Sequence, residues 1–286
     1  MIYTKELFGS TLSLSLSEER EEQESKSVAE ECFSIAKEFE EKYSRFIPGN
    51  FLDELNTQKS APLDEELRTL LELAKTVSKR SKGYFDITIS PLLENAGYGI
   101  HKTPMPEQRG YQNIKLTENK VILENNSNIE LGAIGKGYMV DKIYKKLDPL
   151  FENFIINFGG DIKVKGSHTL LLEDPLNPQK SIGNIQLTNH AIASSSGQKR
   201  KLKNGHHLIN PKTKRSQNDK LSIFVTHPLA TFADVFSTAL FVMPIEESLE
   251  LLKETPSLQA LIIDQKGKIY QTKNFIGILH THDQKR

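Results

Sequence analysis

The sequence predicts an α+β fold in which mainly antiparallel sheets pack with helices, and three observations lead there. Helical periodicity dominates the first third of the chain, from about Glu18 onward. Short apolar or β-branched segments crowd the part after Asn113. Strands and helices follow one another without the regular alternation of a doubly wound sheet. With no internal repeat and no low-complexity linker, residues 1–286 read as one unit, two closely packed lobes being the alternative.

Taken in order, Leu12, Leu14 and Leu16 alternate with Ser13, Ser15 and Ser17, the pattern of a half-buried strand. A long amphipathic helix follows to Tyr43, and Pro48-Gly49 marks a loop. Asp64 is placed to cap a second helix with an apolar face of Leu67, Leu70, Leu71, Ala74 and Val77, ending near Gly83. Phe85–Ile89 reads as a short strand ended by Pro91. NIKLT and KVILE form a hairpin, and a glycine-rich corner then opens a helix. NFIINF, DIKVK, TLLLE, NIQLT, AIASS and LSIFV read as strands, Thr231–Val242 as a buried helix and Glu246–Lys253 as a surface one. ALIID and KIYQT close the fold before a polar tail after His280.

Lys plus Arg and Asp plus Glu number 37 each, so no global field draws the chain to nucleic acid or an anionic membrane. The acidic run Glu18–Glu24 and the basic runs Gln198–Lys203 and Lys212–Arg215 read as solvated faces. The single cysteine, Cys32, excludes an internal disulfide framework and sits at helical spacing with Val28, Ile35, Phe39 and Tyr43. No apolar run reaches the roughly 18–20 residues of a membrane span, and the N-terminus lacks a basic region followed by an apolar core. The chain as written is therefore expected in the cytoplasm; an exported or lipid-anchored form requires a leader ahead of it.

Several segments could carry chemistry. In Glu130–Asp141, ELGAIGKGYMVD, three glycines and Lys136 meet at a helix start. The corner suits either an anion such as phosphate or tight packing alone. Asp234 and Thr238 are four apart, so their oxygens share a helix face, with Ser237 beside them. That set suits a hard cation such as Mg2+; it equally suits a helix-start cap with Thr238 bonding back to a carbonyl. His206 and His207 point to opposite faces if extended, so at most one enters a site as a proton shuttle. The remaining histidines, His101 and His282 among them, have no supporting context. Asn157–Asp161 (NFGGD) and Ser194–Gly197 (SSSG) suit tight turns or ligand-facing loops. Gly83–Asp86 offers rings able to stack on a heterocycle, although a core role is the default for Phe85.

Read as an ordered set, Ser44-Arg45-Phe46 to Asn56, GYFDITISPL, ELGAIGKGYMVD, NFGGD, ASSSG, HHLINP and ADVFSTALF resemble the FAD:protein FMN transferases of the ApbE family. The resemblance runs from about Phe8 to Phe275. It implies an ApbE-like, T-fold-like unit and an Mg2+-dependent transferase. Such an enzyme takes FAD as substrate, transfers FMN to a Ser or Thr hydroxyl of an acceptor flavoprotein, and releases AMP. Asp234, Thr238, the carbonyl of Ala133 and potentially Ser237 would hold the metal. Phe46, Tyr84, Phe85, Asp86, Glu130, Lys136 and His207 correspond to FAD-contacting positions. His207 and Asp234 are the candidate catalytic groups, with His207 preferred as proton acceptor because a metal-bound carboxylate is a poor base. An FAD pyrophosphatase and a non-catalytic FAD-binding protein are the alternatives.

The sequence departs from the family pattern at several places. Asn210 stands where aspartate is common, Lys214 where glycine follows, Phe46 where tyrosine is frequent and Glu130 where aspartate is. Ser195-Ser196-Gly197 replaces a common Thr-Ser-Gly, and no tryptophan precedes Asp174-Pro175. The metal segment is intact, so the departures bear on flavin contacts.

Overall fold

The computed structural model describes residues 1–18, 20–100, 103–198, 200–203 and 205–280. His101, His282, the tail beyond His280, Glu19 of the acidic run and Lys199 of the first basic run lie outside the described residues. Seven α-helices are described: α1 (Glu22–Tyr43), α2 (Phe51–Gln58), α3 (Glu65–Arg80), α4 (Ser90–Asn95), α5 (Gly135–Leu147), α6 (Ala230–Val242) and α7 (Ile245–Glu254).

An eight-stranded sheet carries the architecture. Its strands are β1 (Ile2–Leu7), β2 (Ser10–Leu16), β3 (Phe154–Phe158), β4 (Asp161–Lys165), β5 (Ala191–Ser196), β6 (Lys220–His227), β7 (Gln259–Asp264) and β8 (Ile269–Gln271). They lie side by side in chain order, and every neighbouring pair is antiparallel. The α+β expectation therefore holds, with helices and smaller sheets inserted into one long meander.

Alternation along the strands decides which core each side chain joins. Leu12, Leu14 and Leu16 stand opposite Phe158, Ile156 and Phe154, and all six are buried against the helices. Each side chain of that size contributes about 1.5–3 kcal/mol relative to leaving it exposed. In β7, Ala260 and Ile262 face the helical core, whereas Leu261 and Ile263 face a second apolar cluster. That cluster is covered by the hairpin Ser167–Asp174 and Asn177–Thr188, to which Ile278–Leu279 adds a third strand.

Most expected elements form. Asp64 caps α3 by accepting the Leu67 N–H at 2.8 Å, and the NIKLT–KVILE hairpin pairs as expected. Phe85–Ile89 is corrected: no strand forms there. Asp86 accepts from the Thr88 N–H at 2.9 Å and the Thr88 hydroxyl at 2.7 Å, winding Ile87–Ile89 into a 3-10 turn. That turn runs into α4, where Pro91 occupies a first-turn position that needs no donor. The long first helix starts at Glu22, and α2 and β1 are additions to the sequence reading. No helix among the described residues is long and apolar enough to cross a membrane.

Candidate active site

Two helices fix the floor of the site. The sequence starts α6 with Leu229, which offers no side-chain cap. Asp141, midway along α5, supplies one: its carboxylate accepts from the Ala230 N–H at 3.0 Å, the Thr231 N–H at 2.9 Å and the Thr231 hydroxyl at 2.6 Å. The buried Lys163 ammonium donates to the same carboxylate at 2.7 Å. At the opposite end, the buried Lys220 ammonium donates to the carbonyls of Phe241, at 3.3 Å, and Met243. Helix α6 is thus held at both termini by buried charges of the sign its dipole favours.

The glycine-rich corner serves this packing. A Cβ on Gly137 would lie 2.6 Å from the Ala230 carbonyl oxygen and 2.7 Å from the Asp234 Cβ, so only glycine lets α5 approach α6 this closely. The phosphate-cradle use of these glycine amides is corrected. Gly132 N–H donates to Glu130 Oε2 at 2.9 Å, Gly135 N–H to the Leu131 carbonyl at 2.8 Å and Gly137 N–H to Asp234 Oδ2 at 3.0 Å.

Above α5 and α6 opens a cavity of about 750 Å³, whose wall includes Phe46, Tyr84, Phe85, Asp86, Glu130, Ala133, Lys136, His207, Asp234 and Thr238. Residues distant in sequence and nominated separately therefore share one wall. Ser237 is the exception. Its hydroxyl donates to the Asp234 carbonyl at 2.9 Å and shares a hydrogen bond of 2.8 Å with the Ser195 hydroxyl, bracing α6 against β5. Ser237 takes no place on the cavity wall. Ser194–Ser196 is strand, not loop, and its three residues line the same wall.

Charge is concentrated at the floor. The Lys136 ammonium pairs with Asp161, which follows the two-residue Gly159-Gly160 turn between β3 and β4. Both glycines have positive φ, +61° and +100°, as such a hairpin turn demands. Burial works against the Lys136 charge, but Asp161 and Asp234 outweigh it and hold the pKa above the usual lysine value. Burial, then the nearby Asp161, pushes the Asp234 carboxyl well above the carboxylate range, against the pull of Lys136 and the Gly137 N–H. Asp234 Oδ1 accepts no hydrogen bond from the described residues, leaving one carboxylate oxygen uncommitted.

His206 and His207 divide as alternation requires. His206 is buried in structure, its Nε2 at 2.9 Å from the Gln217 carbonyl and its Nδ1 accepting from the Leu208 N–H at 3.2 Å. His207 lines the cavity with a buried Nδ1 that has no partner among the described residues. Burial, then the positive charge of Arg200, lowers its pKa to about 3, so the imidazole is neutral. Tyr84 donates its hydroxyl to Glu247 at 2.7 Å, and burial followed by that carboxylate raises its pKa to about 12. Burial raises the pKa of Asp86, partly offset by the Thr88 hydrogen bonds and by Arg109. Phe46 sits at the rim, 45 % exposed.

Asn210, which departs from the family pattern, shapes a turn. Its Oδ1 accepts from the Lys212 N–H at 2.9 Å, and its Nδ2 donates to Gln217 and to the Val242 carbonyl, each at 3.0 Å. Tyr98 and Arg200 line the wall without having been nominated from sequence, and Asp161 was named only within the NFGGD turn. Asp161 had a signal, an acid directly after a paired-glycine turn. Tyr98 and Arg200 stand in stretches with no periodic pattern, and only the tertiary fold brings them together, the Arg200 guanidinium donating to the Tyr98 hydroxyl at 2.9 Å.

A helix-backed antiparallel meander of this kind recurs among solved structures. The crystal structure of the ApbE protein from Thermotoga maritima matches with a TM-score of 0.86 at 24% identity, covering 96% of this chain and 97% of that one. The flavin transferase ApbE from Vibrio cholerae matches with a TM-score of 0.82 at 21% identity, covering 96% and 97%. These likenesses establish the fold. The ApbE family model matches residues 8–262, and the chain belongs to the ApbE family. Among sequence relatives, the FAD:protein FMN transferase of Haemophilus influenzae is 28% identical over 273 residues, covering 84% of this chain and 79% of that protein.

Proposed function

We propose that this protein transfers FMN from FAD to a Ser or Thr hydroxyl of an acceptor flavoprotein, releasing AMP. The supporting observation is the convergence of Lys136, which pairs with Asp161, with Asp234 and Thr238 in one cavity whose wall also carries Phe46, Tyr98 and His207. The cavity volume lies within the range of about 300–1,000 Å³ typical of ligand pockets. We read residues 1–286 as a single domain, because both apolar clusters pack on opposite faces of the same sheet.

The donor set fits Mg2+. Asp234 and Thr238 present oxygens one helical turn apart, and Ala133 lies on the same wall. Asp234 is a buried carboxylate with one oxygen uncommitted among the described residues, a donor suited to a hard cation. Asp234 Oδ1, Thr238 Oγ1 and the Ala133 carbonyl would hold the ion. Bound there, Mg2+ would neutralise charge on the diphosphate and polarise it.

The chain's own residues account for the remainder. Lys136 and Arg200 bring positive charge to the place where a diphosphate must sit, and alignment with charge neutralisation is most of what phosphoryl-type transfer needs. The acceptor oxygen attacks the FMN-side phosphorus, the bridging P–O bond breaks, and AMP departs with the electron pair. The hydroxyl proton passes to Nδ1 of His207, a neutral nitrogen with no other partner. Burial is the main cause of the low His207 pKa; a diphosphate would counter only the smaller contributions of Arg200 and Lys136.

Incubation with FAD, Mg2+ and a panel of acceptor flavoproteins, read by intact mass, tests the proposal. An FMN-sized gain on the acceptor, abolished by Asp234→Ala, is expected. FAD split to FMN and AMP with no labelled acceptor would assign hydrolysis instead, and FAD bound but intact would assign a carrier.

A further inference from the structure

The loop after α1 places Arg45 on the cavity wall against two adjoining aromatic rings. Its guanidinium carbon lies 4.5 Å from the Tyr98 ring centroid and 4.9 Å from that of Phe46. Those two rings meet edge-on, 5.6 Å apart at 72°. Neither Nη1 nor Nη2 has a hydrogen-bond partner among the described residues, and both are shielded from solvent. Ring faces attract the cation, yet they leave the in-plane N–H groups unmet, and unmet donors on a buried charge are costly. Tyr98 also receives the Arg200 guanidinium on its hydroxyl and stands 5.9 Å from the His207 ring. The Arg45 fork therefore stands near Tyr98 and His207, with its Nη donors unused among the described residues.

We propose that Arg45 is a ligand-binding residue whose two Nη groups receive an oxyanion in a bidentate pair, the geometry a planar guanidinium matches best. The inference rests on the flavin-transfer reading, which supplies two sources of that chemistry: the phosphate of the departing nucleotide and a carboxylate on the acceptor protein.

The test compares the wild-type chain with Arg45→Gln and Arg45→Lys by calorimetric titration of AMP, inorganic pyrophosphate and riboflavin, and by KM for the acceptor. A phosphate source predicts that Arg45→Gln weakens AMP or pyrophosphate binding by about tenfold or more while riboflavin changes little. A carboxylate source predicts unchanged AMP and pyrophosphate affinity with a comparable rise in acceptor KM. Arg45→Lys keeps the charge but loses the fork, and should recover only part of either loss. AMP and pyrophosphate affinity and acceptor KM all within twofold of wild type in both variants would overturn the proposal. Arg45→Lys also serves as the informative variant if Arg45→Gln fails to fold. Wild-type protein that binds pyrophosphate but no flavin would retire the flavin reading alone, with Arg45 then judged on pyrophosphate.

Discussion

Asp141→Ala should be among the most damaging single changes outside the cavity. The carboxylate accepts two backbone amides and one hydroxyl from the start of α6 and pairs with the buried Lys163. Losing a helix cap costs about 0.5–2 kcal/mol. Leaving a buried ammonium without its partner costs about 3–5 kcal/mol, so the pair dominates. The sum lowers the melting temperature by on the order of 10 °C. Urea titration of the ligand-free protein measures the loss, and FAD turnover should fall with it because Asp234 and Thr238 ride on α6. In Asp141→Ala/Lys163→Met the stranded charge is gone, so most of the loss should return, leaving about 1–2 kcal/mol for the uncapped amides. A single-variant loss below about 1 kcal/mol, the value of an exposed ion pair, would refute the reasoning. So would a double variant no more stable than Asp141→Ala.

Gly137→Ala drives a methyl into the Ala230 carbonyl and should destabilise by about 1–3 kcal/mol through overpacking, measured by the same titration. Phe46→Ala, at an exposed rim position, should change stability by less than about 1 kcal/mol yet raise the KM for FAD, separating binding from folding. His207 has a folded pKa of about 3 against an ordinary 6.5, so the unfolded chain binds the extra proton first. Its contribution is complete above about pH 6.5 and fades as pH falls toward 3. A His207→Gln variant should accordingly show a flatter acid limb in a stability-versus-pH series.

The parts of the fold with a clear period were legible. Alternating Leu12–Leu16 and the α3 stripe behind Asp64 formed as read because burial on one face decided them. The short strands after Asn153 also formed as read, the central ones being apolar runs buried on both faces. What failed depended on side chains acting locally or at a distance. Thr88 bonding to Asp86 turned an apparent strand into a 3-10 turn. Edge strand β1 buries little beyond Leu7, so its residues carry no alternation to read. At the site, the ordered motifs located the wall, but the glycine amides were already committed to protein acceptors. Asp161 joins Lys136 across 25 residues of chain, a meeting no local pattern announces.

The clamps at both termini of α6 also set a timescale. A helix whose first amides end on a buried carboxylate and whose last carbonyls end on a buried ammonium cannot fray piecemeal. Its amide protons should exchange with deuterium only when the whole molecule opens. The oxygens it carries are then preorganised before any ion or nucleotide arrives.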